Sequence, residues 1–396
     1  MKAQVFYGPG DLRFEEMPVP EPGPGEIVMR IEAALTCGTD VKVLRRGHPV
    51  MIPHVPTVFG HEFAGAVARA GRGVTDFREG DRVVAANSAP CGACRCCRAG
   101  RQNLCEDLLF VNGGFGEYIA LPPRLVATNV VRLGPSLPAR RAAFAEPLAC
   151  ALLGIERGRV EKGMTVAVIG HGPLGCLLAL VAAQRGARVF LVGKPGWRLD
   201  RVKGLGIERG RVEKGMTVAV IGHGPLGCLL ALVAAQRGAR VLLVGKPGWR
   251  LDRVRALGIA ECLDAGRSPS LAPLLRDVTG GRGVDVAVDA TGRPEVWEQA
   301  VAAVGRGGTV VFFGGCAPGT SVVLDTRRVH YEELALVGAF HHTPALIRQA
   351  VALLESEALV PDGLLTHTMG LADVREALDL MERGQALKVL IEPYTA

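Results

Sequence analysis

Up to about residue 138, apolar positions fall in short runs cut by glycine and proline, and this pattern predicts strands over 26–34, 63–70, 82–86 and 116–121. The opening MKAQVFYGPGDLRFEE predicts an alternating strand and a turn, not a signal peptide. From Glu146 the rhythm changes. A strand over 165–170 precedes an apolar helix over 173–185, and a second strand follows over 188–192. Further apolar strands are predicted at 261–264, 284–292, 308–315 and 334–340, helices at 344–356 and 371–382, and a closing strand at 387–392. Apolar strands alternating with helices imply an α/β fold, in which a parallel, doubly wound sheet follows a β-rich region.

Residues 163–184 run for more than twenty positions without a charge, the length of a membrane span. A Gly-His-Gly-Pro run in the first half argues instead for a buried strand, a glycine turn and a buried helix. No membrane partner is expected.

The stretch VAVIGHGPLGCLLALVAAQRGARV occurs twice, at 166–189 and 218–241. Around it, residues 154–205 and 206–257 align with a period of 52 and differ only at Phe190/Leu242, Lys203/Arg255 and Gly204/Ala256. Solenoid units diverge while keeping a pattern, whereas these two copies are nearly identical and flanked by unrelated sequence. That implies one tandem duplication inside an otherwise complete domain, and 396 − 52 = 344 residues remain without it. One sheet has room for one copy at its centre. Copy one, which follows directly on the preceding helix, is expected there, with copy two as an insertion; each doubling of loop length costs only about 0.6 kcal/mol. Copy two, where Ala256 replaces Gly204, and mixtures of both copies are the alternatives.

Length and composition fit a two-domain globular chain, with 396 residues of which 48% are hydrophobic and 21% charged. The net charge of +7 is spread out, and the pairs Arg45 with Arg46 and Arg140 with Arg141 have no interleaved aromatics, so no nucleic-acid partner is expected. Eleven cysteines include five between Cys91 and Cys105, and without a secretory signal such crowding suggests metal thiolates before disulfides.

CGACRCCRAGRQNLC sets Cys91, Cys94, Cys97 and Cys105 in a C-x2-C-x2-C-x7-C pattern, with Cys96 off the spacing. Four thiolates fill a tetrahedral ion and leave no open position, so this ion is structural. Three other segments carry mixed ligand types: TCGTD with Cys37, GHEFAGAVARAG with His61 and Glu62, and AEPLA with Glu146. A catalytic zinc takes about three such protein ligands and keeps one position open. GHGPLG supplies Gly170, Gly172 and Gly175, and in the second copy Gly222, Gly224 and Gly227. The first glycine makes the strand-to-helix turn, the second admits a pyrophosphate, and the third packs helix on strand.

Together GHEFAGAVARAG, the four-cysteine lobe, CGTD, AEPLA and GHGPLG resemble the zinc-dependent medium-chain alcohol dehydrogenase family, nearest the sorbitol and threonine dehydrogenases. The resemblance implies a GroES-like β-rich catalytic domain over 1–150 and 342–396, with the structural zinc lobe at about 88–108, and a Rossmann domain over 151–341 holding the repeat 154–205 / 206–257. By position it makes Cys37, His61, Glu62 and Glu146 candidates for the catalytic zinc, with Glu62 either ligating or standing behind the ligands. Thr39 matches the hydroxyl that takes the alcohol proton. Lys42 stands where that branch has a relay histidine; a lysine relays protons only with a lowered pKa, which weighs against threonine as substrate.

The cofactor turn ends unusually. In place of a ribose-binding carboxylate the chain reads VGKPGWR, with Lys194 and Arg198, echoed by Lys246 and Arg250. Losing the carboxylate and gaining cations favours a 2′-phosphate, so NADP is the preferred cofactor and NAD the alternative. Gly170, Gly172, Pro173, Leu174 and Gly175 of the first turn, with the second-copy glycines, are the candidate cofactor contacts.

The expected protein is a cytoplasmic homodimer or homotetramer with two zinc ions per chain. It transfers hydride between a secondary alcohol, polyol or sugar-like, and a nicotinamide. L-threonine 3-dehydrogenase activity is the runner-up, and a cofactor-binding or structural protein disabled by the duplication is the rival outside enzymes.

Overall fold

A computed structural model describes residues 1–169, 172–192, 217–221, 240–245, 261–264, 271–289, 291–357 and 360–394. The chain divides into two compact units, Met1–Leu152 with Phe340–Ala396, and Leu153–Ala339.

The first unit is β-rich. Its main sheet has seven strands, in the order Val130–Arg132, Arg82–Ala85, Glu62–Ala70, Ile27–Leu35, Lys388–Ile391 and Leu365–Met369, with Tyr118–Leu121 also on Ile27–Leu35. Strand Ile27–Leu35 reads IVMRIEAAL and is almost wholly buried, as expected for a strand covered on both faces. The opening segment is a hairpin of Lys2–Gly8 with Asp11–Glu16, joined by Thr57–Val58. Phe6 stacks on Phe59 at 5.2 Å, and Phe59 meets Phe115 edge-on at 6.1 Å. Such offset and edge contacts suit the ring quadrupoles and weld the two sheets into one core.

The all-strand reading of this region missed helices. Gly38–Arg46 and Pro123–Asn129 are both helical. The first is capped at Cys37, whose Sγ accepts from Thr39 N–H, while Asp40 returns a bond to the Cys37 N–H; a cysteine in a capping box hides the usual Ser/Thr signal. Residues 371–382 divide into a 3-10 turn, Leu371–Asp373, and the helix Val374–Glu382.

In the second unit a five-stranded parallel sheet runs Arg188–Val192, Thr165–Ile169, Val284–Asp289, Val304–Phe312, Ala335–Gly338. Strand order reverses at Thr165–Ile169, the crevice where doubly wound sheets take ligands. The strand predicted from 308 starts at Val304. Its Gly-Arg-Gly-Gly reads as a turn, but Gly305 lies so close to the neighbouring chain that a Cβ there would sit 2.1 Å from Arg282 O.

The two sequence copies take different places. Strands Thr165–Ile169 and Arg188–Val192 of copy one belong to the five-stranded sheet. Strands Thr217–Ile221 and Arg240–Gly245 of copy two form a separate parallel sheet with Glu261–Asp264, the third strand of the expected order. The uncharged run 163–184 resolves into strand Thr165–Ile169 and helix Pro173–Gln184. Among the described residues no helix is long and apolar enough to cross a membrane.

Candidate active site and metal centres

Sheet register assembles the first centre. Leu35 lies opposite Glu62 in the antiparallel pair, so the chain leaving one strand at Cys37 meets the chain entering the other at His61. Leu390 pairs with Leu35 from the other side, which brings Lys388 to the same end. Gly60, just before His61, has φ +88°, and a Cβ there would meet the Phe115 ring at 2.7 Å. Gly65 lies so close to Arg30 O, at 2.0 Å from an ideal Cβ, that only glycine lets these strands pair. Both glycines of GHEFAG are thus required by backbone geometry.

The ligand atoms of Cys37, His61 and Glu62 lie within 4.8 Å of one another. Asp40 fixes two of the three residues: Oδ1 accepts from His61 Nδ1–H at 2.8 Å and Oδ2 accepts from the Cys37 N–H at 2.8 Å. A carboxylate on Nδ1 leaves Nε2 as the ligating nitrogen, the usual arrangement behind a metal-binding imidazole. Burial alone would depress the His61 pKa, but the Asp40 carboxylate overrides it and raises the value well above the ordinary one. Glu62 is 0% exposed, and its Oε2 is ion-paired with Lys388, itself 1% exposed and donating to Thr36 O at 3.0 Å. Burial raises the Glu62 carboxyl against the pull of Lys388, while the carboxylate's charge, outweighing burial, keeps Lys388 protonated. Glu62 Oε1 is buried with no hydrogen-bond partner among the described residues. A thiol, an imidazole and an orphaned carboxylate oxygen form a donor set that fits zinc, and they would hold it here.

Thr39 is half-buried on the first turn beside Cys37, and Lys42 is exposed on the same helix. Glu146 lies near the same centre, where the charges of His61 and Glu62 act on its carboxyl. Its carboxylate groups with Cys150 and His341, again within 4.8 Å. Burial pushes Glu146 up to about 7 against the pull of His61, and burial also lifts the Cys150 thiol. His341 is pushed down to about 3 and His342 well below its ordinary value, chiefly by burial, so both rings are neutral.

The cysteine lobe is a second centre. The sulfurs of Cys91, Cys94, Cys97 and Cys105 lie within 4.8 Å of one another, and Cys94 Sγ is 4.0 Å from Cys105 Sγ. A zinc–sulfur tetrahedron with bonds of about 2.3 Å has edges of about 3.8 Å, so the cage matches the ion. Backbone N–H groups of Ala93 and Cys94 donate to Cys91 Sγ at 3.4 and 3.3 Å, that of Cys97 to Cys94 Sγ at 3.4 Å, and that of Cys91 to Cys105 Sγ at 3.2 Å. N–H donors from Glu106 and Cys97 draw Cys94 down to about 6, and burial lifts Cys97 to about 12.

At the nucleotide turn, Gly172 caps the helix Pro173–Gln184, Pro173 begins it, no side chain among the described residues caps its amides, and Gly175 is buried inside it. A Cβ at Gly172 would meet nothing within 4 Å, which leaves the helix N-terminus open to an anion. Leu174 is half-buried in the first turn. Gly170, Lys194, Arg198, Gly222, Gly224, Gly227, Lys246 and Arg250 lie outside the described residues.

Reading by residue type missed Asp40, Lys388, Cys150, His341 and His342. Asp40 was in view as the last letter of CGTD and Cys150 lies one helical turn beyond Glu146; Lys388, His341 and His342 carry no local spacing, since they return from the far end of the chain.

Residues 23–131 match the alcohol dehydrogenase GroES-like domain and residues 225–356 the zinc-binding dehydrogenase family. The second match starts inside copy two of the repeat. The chain is 32% identical to D-altritol 5-dehydrogenase of Agrobacterium fabrum (strain C58) over 381 residues, covering 94% of each. It is 30% identical to L-threonine 3-dehydrogenase of Mesorhizobium japonicum over 389 residues, 96% of this chain and 94% of that one. Among solved structures it is similar to a Sinorhizobium meliloti 1021 protein assigned as a zinc-binding dehydrogenase and bound to NADP, at TM-score 0.73 and 26% identity over 99% of both chains. With the mixed-ligand centre and the four-thiolate cage on one β-rich unit, and a doubly wound parallel sheet in the other, the chain belongs to the zinc-dependent medium-chain alcohol dehydrogenase family.

Proposed function

We propose that this zinc-dependent alcohol oxidoreductase transfers hydride between a secondary alcohol of the polyol or sugar-like class and NADP, with NAD as the alternative. The observation that carries the reading is the Asp40 grip on both Cys37 and His61 beside the orphaned Glu62 Oε1. An ion held there by Cys37, His61 and Glu62 supplies a Lewis acid for the alcohol oxygen. Asp40 keeps the imidazole and thiol aimed, and Lys388 balances the buried charge of Glu62. Thr39 Oγ1 takes the alcohol proton and passes it toward solvent. Gly172 and the amides of the helix Pro173–Gln184 bind the cofactor pyrophosphate. Residues 1–150 with 342–396 carry the alcohol chemistry and 151–341 the cofactor, which Lys194 and Arg198 select through its 2′-phosphate. The NADP-bound relative supports that choice.

Polyols lead because of the D-altritol 5-dehydrogenase relative. The L-threonine 3-dehydrogenase relative makes threonine the second reading. We place the enzyme in the cytoplasm as a homodimer or homotetramer with one structural and one catalytic zinc per chain.

The test is reduction of NADP and of NAD by the full chain with a panel of polyols, simple secondary alcohols and L-threonine, with products identified. A polyol turned over faster than threonine supports the reading. No reduction of either cofactor by any alcohol overturns it. A chain lacking residues 206–257, run in parallel, separates a disabling repeat from a harmless one.

A further inference from the structure

We propose that the chain populates two arrangements of its second unit, which differ in which copy of the repeat lays its first strand against Val284–Asp289. In the structure Thr165–Ile169 of copy one holds that place. In the other arrangement Thr217–Ile221 holds it and brings Arg240–Gly245 and Glu261–Asp264 into the same sheet. Both first strands read TVAVI, and each pairs in parallel with its own second strand in the same register, Thr165 with Arg188 and Thr217 with Arg240. PLGCLLALVAAQ, the helix Pro173–Gln184, recurs letter for letter at 225–236. Exchanging the copies therefore replaces one pairing against Val284–Asp289 by another of identical sequence and keeps every other pairing of the two sheets. Local strand energetics cannot separate the two, and packings so nearly degenerate coexist.

Different observations favour different copies. Copy one follows directly on the helix Ala145–Arg157 and stands in the five-stranded sheet. That sheet ends at Arg188–Val192, however, and the third strand, Glu261–Asp264, pairs with copy two. With Thr217–Ile221 against Val284–Asp289 the order becomes Glu261–Asp264, Arg240–Gly245, Thr217–Ile221, Val284–Asp289, Val304–Phe312 and Ala335–Gly338, the complete doubly wound order. The match to the zinc-binding dehydrogenase family likewise runs from residue 225, in copy two, to 356 and leaves copy one out. The incoming strand is already close. The helix Leu271–Val278 comes within 8 Å, Cα to Cα, of Thr217–Ile221 and also of Pro294–Ala303, the helix beside Val284–Asp289. Residues 193–216, which join the copies, reach up to about 80 Å when extended, so the tether forbids neither arrangement. GHGPLG follows both strands in the sequence, so a ligand of that turn binds both arrangements alike and does not drive the exchange.

Asp285 marks the contested place, because its Oδ2 accepts the Thr165 N–H at 2.7 Å where the central strand begins. In the second arrangement Thr217 stands there. Full chains carrying Asp285→Cys with Thr165→Cys, with Thr217→Cys, or with both are refolded with zinc in a glutathione redox buffer, and their disulfides are located by peptide mapping. Neither alcohol nor nicotinamide is present, so the outcome is independent of the hydride-transfer reading. Position 285 is expected to bond to 165 and to 217 in the respective paired chains. In the triple variant the two bonds are expected in amounts within about tenfold of each other, since the Gly204/Ala256 difference shifts an equilibrium by less than that. A bond to only one of the two positions, or to neither, overturns the proposal. Carbodiimide coupling of the native Asp285 to Thr165→Lys or to Thr217→Lys repeats the comparison with a single substitution, and carries it if circular dichroism shows a cysteine variant unfolded.

Discussion

The four-cysteine cage and the Cys37–His61–Glu62 centre both offer sulfur to a metal, yet they are built in opposite ways. The cage comes from fifteen contiguous positions, 91–105, and its thiols are bonded by their own backbone N–H groups. The other centre draws on residues 37, 40, 61, 62 and 388 and exists only because three strands align at one end. A local centre survives changes elsewhere in the fold. A non-local one inherits every error in the sheet, and is held by buried ion pairs that a loop could not support.

Breaking the non-local centre at its thiolate gives the largest effect. Cys37→Ser is expected to lower kcat by on the order of 10³-fold, since several kcal/mol of Lewis-acid assistance depend on the ion staying in place. Steady-state assay with the best alcohol checks this, with cofactor affinity as the unchanged control. Next comes the buried pair. Lys388→Met leaves the buried Glu62 carboxyl without its cation, a loss of about 3–5 kcal/mol, and adding Glu62→Gln should restore much of it. Denaturant unfolding of the single and double variants decides; equal midpoints for wild type and Lys388→Met would refute the pairing.

Asp40→Asn should weaken metal at the first centre by about 10–100-fold without removing a ligand. Competition with a chromophoric chelator measures it, and the cage serves as the internal control because Asp40 does not touch it. The smallest effect sharpens the contrast from the other side. Cys96→Ser should leave metal content unchanged and alter stability by no more than about 0.5 kcal/mol, whereas Cys94→Ser should release one ion per chain. Loss of metal in the Cys96 variant would mean the spacing selects different ligands.

The two copies of the repeat show how far local sequence reaches. Val166–Ile169 and Val218–Ile221 are identical in sequence and both form strands, as their apolar content requires. One lies between Arg188–Val192 and Val284–Asp289, while the other heads a separate sheet that also takes Glu261–Asp264. Copy one lies in the five-stranded sheet, and the third strand pairs with copy two. Local sequence cannot decide between identical strands; neighbours in the sheet do.

Sequence alone determined what depends on short separations along the chain: the strand and helix periods, the thiolate spacing of the cage, the glycine turn before Pro173 and the 52-residue repeat. It also supplied Cys37, His61 and Glu62 as candidates through their motifs. Only the tertiary structure decided that Asp40 grips two of them, that Lys388 neutralises the third, and that Glu146 turns to Cys150 and His341. The reason is physical. Backbone propensity and local spacing act over a few residues, whereas a buried charge is settled by whichever group the packed sheet brings against it, however distant in the chain.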